Sequence, residues 1–149
     1  MYKKYLTLFL TLVIIFLVDQ YIKSFFVNGY EWHSKCISLT FTLNKGVAFS
    51  MFAFLKEYLK YIQLILISAI VIYLFINREI ISNYSFAIGL LLGAGLSNLF
   101  DRFIHGGVVD YVYWHCWFDF AIFNFADVMI DLAVVILIYL GIKNDRKIS

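Results

Sequence analysis

Gly93-Ala94-Gly95-Leu96-Ser97-Asn98-Leu99-Phe100-Asp101-Arg102, running on to Val108-Val109-Asp110-Tyr111, decides how this chain is read. The stretch begins as an apolar helix compatible with lipid. It ends in an Asn, two Asp and an Arg. Ionisable groups at the end of a membrane span are costly unless paired or used, and by default they mark a functional site. A second acidic cluster, Phe123-Asn124-Phe125-Ala126-Asp127, opens the next apolar run. Only a short aromatic loop separates the two clusters, so they are placed to face each other.

The rest of the composition agrees with a membrane protein. Of 149 residues, 63% are hydrophobic and 15% charged, against about 45–50% and about 25% in soluble domains. The length fits one domain, residues 1–149. A net charge of +2 without a basic run gives no reason to expect a nucleic-acid partner. Cys36 and Cys116 lie far apart, in neither a CxxC nor a Cys/His zinc spacing. They read as two separate thiols, with a disulfide as the alternative if both lie outside the membrane. The chain has no proline, so no span need be kinked by one.

Four apolar runs, about 5–26, 58–76, 84–101 and 121–142, are each long enough to cross a bilayer as a helix. Lys3 and Lys4 precede the first run as in a signal peptide. No small-x-small cleavage site follows, and Asp19-Gln20-Tyr21-Ile22-Lys23 stands where one would fall, so this helix is expected to stay uncleaved. Asp19 and Lys23 are four apart and share a helix face, where they can neutralise each other. That pairing fits a structural ion pair as well as a functional one. Gly89 and Gly93 have the GxxxG spacing that lets helices approach closely in lipid, so the third span is expected to be central.

Between the first two spans, residues 30–54 read as a small β element. Ile37, Leu39, Phe41 and Leu43 alternate with polar residues and are expected on one buried face, with Asn44-Lys45-Gly46 as a turn. Residues 103–120 read as a loop, broken by Gly106-Gly107, whose Tyr111, Tyr113, Trp114 and Trp117 suit the headgroup region. His115 among them reads as structural rather than as a ligand. With four spans both termini face one side. The basic residues divide six to six between the two sides, so charge decides orientation only weakly, in favour of cytoplasmic termini. In either orientation Asp19, Asn44, Asp101, Asp110 and Asp127 converge on one membrane face.

Two carboxyls held close cannot both ionise cheaply and share a proton near neutral pH. Such a pair can cleave a peptide bond: the ionised member takes a proton from water while the protonated member polarises the carbonyl and then assists the amine. Asp110 and Asp127, each expected at a junction of loop and helix, are the candidates. Asp101 is the rival, with Arg102 adjacent, and reads equally as an anchor for that arginine. A polar plug at the helix ends, a proton- or cation-coupled transporter using the acids as a relay, and a non-catalytic binding protein are the competing classes. Acids gathered near one face favour the enzyme over the relay. Asp131, one turn beyond Asp127 with no basic residue in its span, is expected to be a neutral acid hydrogen-bonded to a neighbouring helix; the alternative is like-charge coupling to Asp127.

The ordered motifs resemble those of the lipoprotein signal peptidase (signal peptidase II) family. They are Asp19-Gln20-x-x-Lys23, Asn44-x-Gly46-Val47-Ala48-Phe49-Ser50, Asn98-x-x-Asp101-Arg102, Val108-Val109-Asp110-Tyr111 and Phe123-Asn124-x-Ala126-Asp127. The resemblance covers essentially the whole chain, and together the motifs are highly specific. It implies an all-α integral membrane protein of the bacterial inner membrane, a four-helix bundle with a small extracytoplasmic β-cradle between helices 1 and 2. It implies cytoplasmic termini, a site toward the outer face and an aspartic endopeptidase. The substrates implied are diacylglyceryl-modified prolipoproteins, cut before the lipidated cysteine. The family's catalytic aspartates fall on Asp110 and Asp127. Its supporting or substrate-binding residues fall on Asp19, Lys23, Asn44, Gly46, Asn98, Asp101, Arg102, Asn124 and Ala126. No cofactor or metal is implied, and no HExxH helix occurs. The expected partners are the prolipoprotein and membrane lipid, with the chain acting as a monomer. Tyr111 stands where the family usually has Phe, and Val47 where it has Ala.

Overall fold

The computed structural model describes residues 2–46, 53–55 and 57–145. Val47, Ala48, Phe49 and Ser50 of the second motif lie outside the described residues. Four long helices dominate: α1 (Tyr2–Val27), α2 (Tyr58–Ile76), α3 (Arg78–Ile104) and α4 (Phe125–Asp145). All four are long and apolar enough to cross a membrane. A three-stranded antiparallel sheet joins them at one end, β1 (Trp32–His33), β2 (Ile37–Asn44) and β3 (Val108–Trp114), in the order β1-β2-β3.

The third helix is the hub, as its glycines lead one to expect. In its 18-residue apolar stretch 56% of residues are buried, against 11–17% in those of the other three helices, which turn most of their surface outward. Outward apolar surface is what lipid solvates, so burial inside the protein is needed only where helices meet. α1 packs along α3 through Gly89 and Gly93. A Cβ on Gly93 would fall 2.6 Å from the carbonyl oxygen of Leu12, and one on Gly89 2.7 Å from the Thr11 Cβ. The helix also starts earlier than its apolar run. Arg78 through Asn83, between the second and third apolar runs, is helical, and Tyr84 at (φ −127°, ψ 18°) marks a kink where the third run begins.

The sheet departs from expectation in three ways. First, it is not confined to the segment between helices 1 and 2, because β3 comes from the loop between α3 and α4. Val108-Val109-Asp110-Tyr111-Val112-Tyr113-Trp114 is rich in β-branched and aromatic residues, and the strand forms on that basis. Secondly, β2 does not bury one apolar face. Phe41 is 42% exposed while Ser38 is buried. Leu39 pairs with Val112 and Thr42 with Asp110, so Thr40 and Phe41 together oppose Tyr111 alone. This extra residue is a bulge, and it breaks the period-two alternation. Thirdly, Cys36 and Cys116 are joined in a disulfide rather than standing as separate thiols. The pairing Ile37↔Trp114 closes the sheet's end, and the His115 N–H donates to the Cys36 carbonyl, so the two cysteines are brought side by side. His115 is structural, as expected: its Nε2 lies 2.9 Å from the Ser38 hydroxyl.

The close approach of α1 to α3 can be tested at its narrowest point. Gly93→Leu should cost about 1–3 kcal/mol through overpacking and lower the midpoint of thermal unfolding in detergent. Gly141→Leu is the control, since nothing lies within 4 Å of a Cβ there, and it should leave the midpoint in place.

Candidate active site

The polar residues of α1, α3, β2, β3 and the start of α4 meet at one end of the bundle. At their centre is Lys23, only 2% exposed. Its Nζ lies 2.7 Å from Asp19 Oδ2 and 2.7 Å from Asp101 Oδ2, and it donates to Asn98 Oδ1 at 2.8 Å. Desolvating an ammonium costs several kcal/mol, and two carboxylates with a third acceptor offset that cost. The expected pairing of Asp19 with Lys23 is present. Asp101, however, anchors Lys23 and not Arg102: among the described residues Arg102 makes no ion pair within 4 Å. The arginine instead donates to Gln63 Oε1 at 3.0 Å and to the Gly46 carbonyl.

Each of the two ion-paired acids also holds a backbone N–H. Asp19 Oδ1 accepts from Ala126 N at 2.9 Å, and Asp101 Oδ2 accepts from Val109 N at 3.1 Å. Ala126 and Val109 are the residues immediately before Asp127 and Asp110. The buried ion pairs therefore fix the backbone beside each candidate catalytic acid. Ser97 Oγ donates to Asp19 Oδ2 at 2.6 Å and Gln20 Nε2 to Asp101 Oδ1 at 2.7 Å, completing both carboxylates.

The start of α4 follows from capping chemistry. Asn124 is the N-cap: its Oδ1 accepts from Asp127 N at 2.9 Å, while Asp127 Oδ2 accepts from Asn124 N at 3.0 Å. This reciprocal pair has the form of a capping box, with Asp in the place of Glu. The Phe125 N–H donates to the Tyr111 hydroxyl at 3.0 Å. With Ala126 on Asp19, the first three N–H groups of the helix all have side-chain partners, where an uncapped helix would leave them orphaned. Tyr111 is itself stacked on Phe26, centroids 4.2 Å apart. Its hydroxyl thus has a role in place that Phe could not fill.

Asp110 and Asp127 are joined through Asn124. Asn124 Nδ2 donates to Asp110 Oδ1 at 2.7 Å, and Asn44 Nδ2 to Asp110 Oδ2 at 2.9 Å. Asn98 Nδ2 donates to Asp127 Oδ1 at 2.9 Å. Asp110 stands in strand β3, not at the junction of loop and helix expected for it. Thr42 pairs with Asp110 and Asn44 with Val108, so Asn44 is the diagonal neighbour on the same face. Gly107 makes this possible: a Cβ there would lie 2.9 Å from the Asn44 carbonyl oxygen. Burial raises the Asp110 pKa from 3.8 to about 6; the Asn44 hydrogen bond opposes the rise, Asp127 adds to it, and Asn124 and Lys23 oppose it.

A cavity of about 650 Å³ opens beside these two acids, between α2 and α4 over α3. Asn44, Asn98, Arg102, Asp110 and Asp127 line it, with Leu59, Ile62, Gln63 and Leu66 from α2. Asp19, Lys23 and Asp101 do not. Four further residues have roles in this site that their place in the sequence does not announce. Gln20 and Ser97 complete the ion-paired carboxylates. Gln63, a lone amide in an apolar span, donates to the Gly95 carbonyl and holds Arg102; its depth was the missed signal. Tyr111, expected at the headgroup region, instead caps α4 through its hydroxyl. The expectation for Asp131 is corrected: it is exposed on the cavity wall, and no group among the described residues bonds to it. Among the described residues, no three His, Cys, Asp or Glu side chains gather as a metal-ligand set.

Fold and site together define a multi-pass membrane protein with an acid-lined cleft at one end of a four-helix bundle. Residues 11–143 match the family model described as signal peptidase (SPase) II. The lipoprotein signal peptidase of Sulfurimonas denitrificans is 58% identical over 136 residues, 91% of this chain and 88% of that one. That of Wolinella succinogenes is 54% identical over 85% of this chain and 87% of its own length. A solved bacterial membrane enzyme superposes with a TM-score of 0.80 at 26% identity, covering 96% of this chain and 92% of that one. The chain belongs to the signal peptidase II family. It is a membrane peptidase, and the transporter reading has no support.

Two substitutions separate support from packing. Lys23→Met leaves Asp19 and Asp101 as buried carboxylates without their cation, so it should lower stability by about 3–5 kcal/mol, read as loss of folded protein on extraction into detergent. Tyr111→Phe removes one hydrogen-bond acceptor at the start of α4 and should cost about 1 kcal/mol, read as a modest fall in the same unfolding midpoint.

Proposed function

We propose that this peptidase removes signal peptides from diacylglyceryl-modified prolipoproteins, cutting before the lipidated cysteine, with Asp110 and Asp127 as an aspartic catalytic pair. One observation carries the assignment of the pair. Of Asp19, Asp101, Asp110 and Asp127, only the last two reach the cavity, and a single residue, Asn124, holds both. The pair shares one proton. Its basic member takes a proton from water, and the hydroxide equivalent attacks the scissile carbonyl carbon. Its acidic member gives its proton to the carbonyl oxygen; the other member then passes the proton taken from water to the leaving amine, and the first recovers its own as the tetrahedral intermediate collapses to the carboxyl product. Arg102, at the cavity wall, is placed to stabilise the developing oxyanion.

The names of the relatives support the substrate class. The position of the cleft supports the lipid-bearing substrate. It lies between two helices that turn most of their surface outward, so a peptide anchored by acyl chains can enter sideways from lipid. The chain is read with both termini cytoplasmic and the site toward the outer face of the inner membrane, where a lipidated cysteine would present its scissile bond. Both acids belong to one chain, so a monomer suffices.

The decisive experiment incubates purified protein with a diacylglyceryl-modified prolipoprotein and with its unlipidated form; cleavage of the first alone is expected. Asp110→Asn and Asp127→Asn should each abolish cleavage, a loss of at least about 10³-fold in line with removal of an acid or base, while the protein stays folded. Full activity in either variant would sink the pair. The raised pKa fixes the sign of the pH dependence. Asp110 keeps its proton to about pH 6 and loses it above, so kcat/KM should decline as pH rises through an apparent value near or above 6. The same shift means Asp110 favours the fold at low pH and that this contribution is lost between about pH 4 and 6. Thermal unfolding of Asp110→Asn should lack that part of the pH dependence.

A further inference from the structure

Asp131 faces the same cavity and takes no part in the network above. It lies one helical turn beyond Asp127, about 6 Å along α4 at about 1.5 Å per residue. Most of the cleft's lining is apolar, Ile62 and Leu66 of α2 and Ile130 of α4 among it, alongside the polar groups of the site. A carboxyl without a partner at that depth is costly and is retained where it serves a function. Every other acid lining the cleft accepts at least two hydrogen bonds from the protein. Asp131 accepts none from the described residues.

The deficit has a counterpart in the substrate. A peptide drawn into a lipid-facing cleft brings backbone N–H groups that have lost water, each costing several kcal/mol if unpaired. A diacylglyceryl thioether offers only acceptors, ester and ether-type atoms without a donor. The peptide supplies the donors. In an extended peptide, about 6 Å corresponds to about two residues at about 3.3 Å each. With the site at the outer face, the deeper direction leads back into the signal peptide.

We propose that Asp131 is a substrate-binding residue that accepts a hydrogen bond from a backbone N–H of the signal peptide, about two residues before the scissile bond. This rests on the prolipoprotein reading above. The carboxyl oxygen serves as acceptor whatever its protonation state, so the contact sets substrate affinity and leaves the chemistry of the pair alone.

The test compares wild type, Asp131→Asn and Asp131→Leu on lipidated prolipoprotein peptides, unmodified or N-methylated at the amide two or three residues before the scissile bond. Asp131→Leu suits a lipid-facing helix and should raise KM about tenfold, the effect of about 1.4 kcal/mol, with kcat within about twofold. Asp131→Asn keeps an acceptor oxygen and should hold KM near wild type. N-methylation at the contacting position should cost wild type about tenfold in kcat/KM and cost Asp131→Leu nothing further, a non-additivity that reports direct contact. An unchanged KM in Asp131→Leu, or an equal methylation penalty in both proteins, would overturn the inference. So would an alkaline limb displaced by Asp131→Asn, which would assign the residue to charge coupling with Asp127. In a test peptide that carries a serine near that position, a Ser→Ala change that reproduced the methylation pattern would overturn the backbone assignment in favour of a hydroxyl. If wild type fails to cleave the unmethylated lipidated peptide, the parent reading falls and takes this one with it.

Discussion

The ammonium of Lys23, buried between Asp19, Asp101 and Asn98, is the interaction on which the rest of this structure depends. A cation at the end of a lipid-embedded bundle must be neutralised at close range. The two carboxylates that do so come from α1 and α3, so the charge ties those helices together where their glycine-mediated packing ends. Each carboxylate has lone pairs to spare, and each spends one on a backbone N–H of a different element. Asp19 seats the first turn of α4, and Asp101 seats the start of β3. One buried charge thereby sets the positions of two segments distant in sequence, and the proposed catalytic acids are the next residue along in each.

Charge accounting gives the site its chemistry. Asp19, Asp101, Asp110 and Asp127 gather about two cations, Lys23 and Arg102, and Lys23 is already committed to the first two acids. Arg102 spends hydrogen bonds on Gln63 and Gly46 rather than on a carboxylate. The cluster thus carries more carboxyls than cations, and the surplus lies at the cavity. The remaining positive influence is the N-terminus of α4, whose dipole is a partial charge and not a full one. At Asp110 burial is the main cause of the rise to about 6, and the nearby charge of Asp127 adds to it.

Much of this was legible in the chain. Long apolar runs fixed four helices because lipid demands length and apolarity of any span. Gly89 and Gly93 marked the central helix because close backbone approach excludes side chains. The polar clusters were conspicuous because charge in a span is expensive. What escaped has physical reasons too. The strand at 108–114 was masked by its aromatic residues, which fit a headgroup loop as well as an edge strand. The alternation in 37–44 promised a buried face, but a bulge opposite Tyr111 reverses it partway along and leaves Phe41 exposed. No local pattern announces a bulge set by pairing with a segment some 70 residues away. The roles of Gln20, Ser97, Gln63 and Tyr111 are tertiary, since each is defined by a partner on another element.

The contrast between the two sets of acids explains why one is suited to chemistry and the other to support. Asp19 and Asp101 touch an ammonium directly, and each also accepts from a backbone N–H and a side-chain donor, so both are committed to support. Asp110 and Asp127 touch only amide donors, from Asn44, Asn98 and Asn124. A neutral amide orients a carboxyl without forcing it to remain charged, so a proton can enter or leave at modest cost. Each of the four oxygens accepts one such bond and keeps a second lone pair free, open to water or to a substrate carbonyl. A cation in direct contact would fix the protonation state and defeat the sharing of a proton. Placing Lys23 one residue away, behind Asn98, lets it stabilise the architecture while leaving the pair free to exchange its proton.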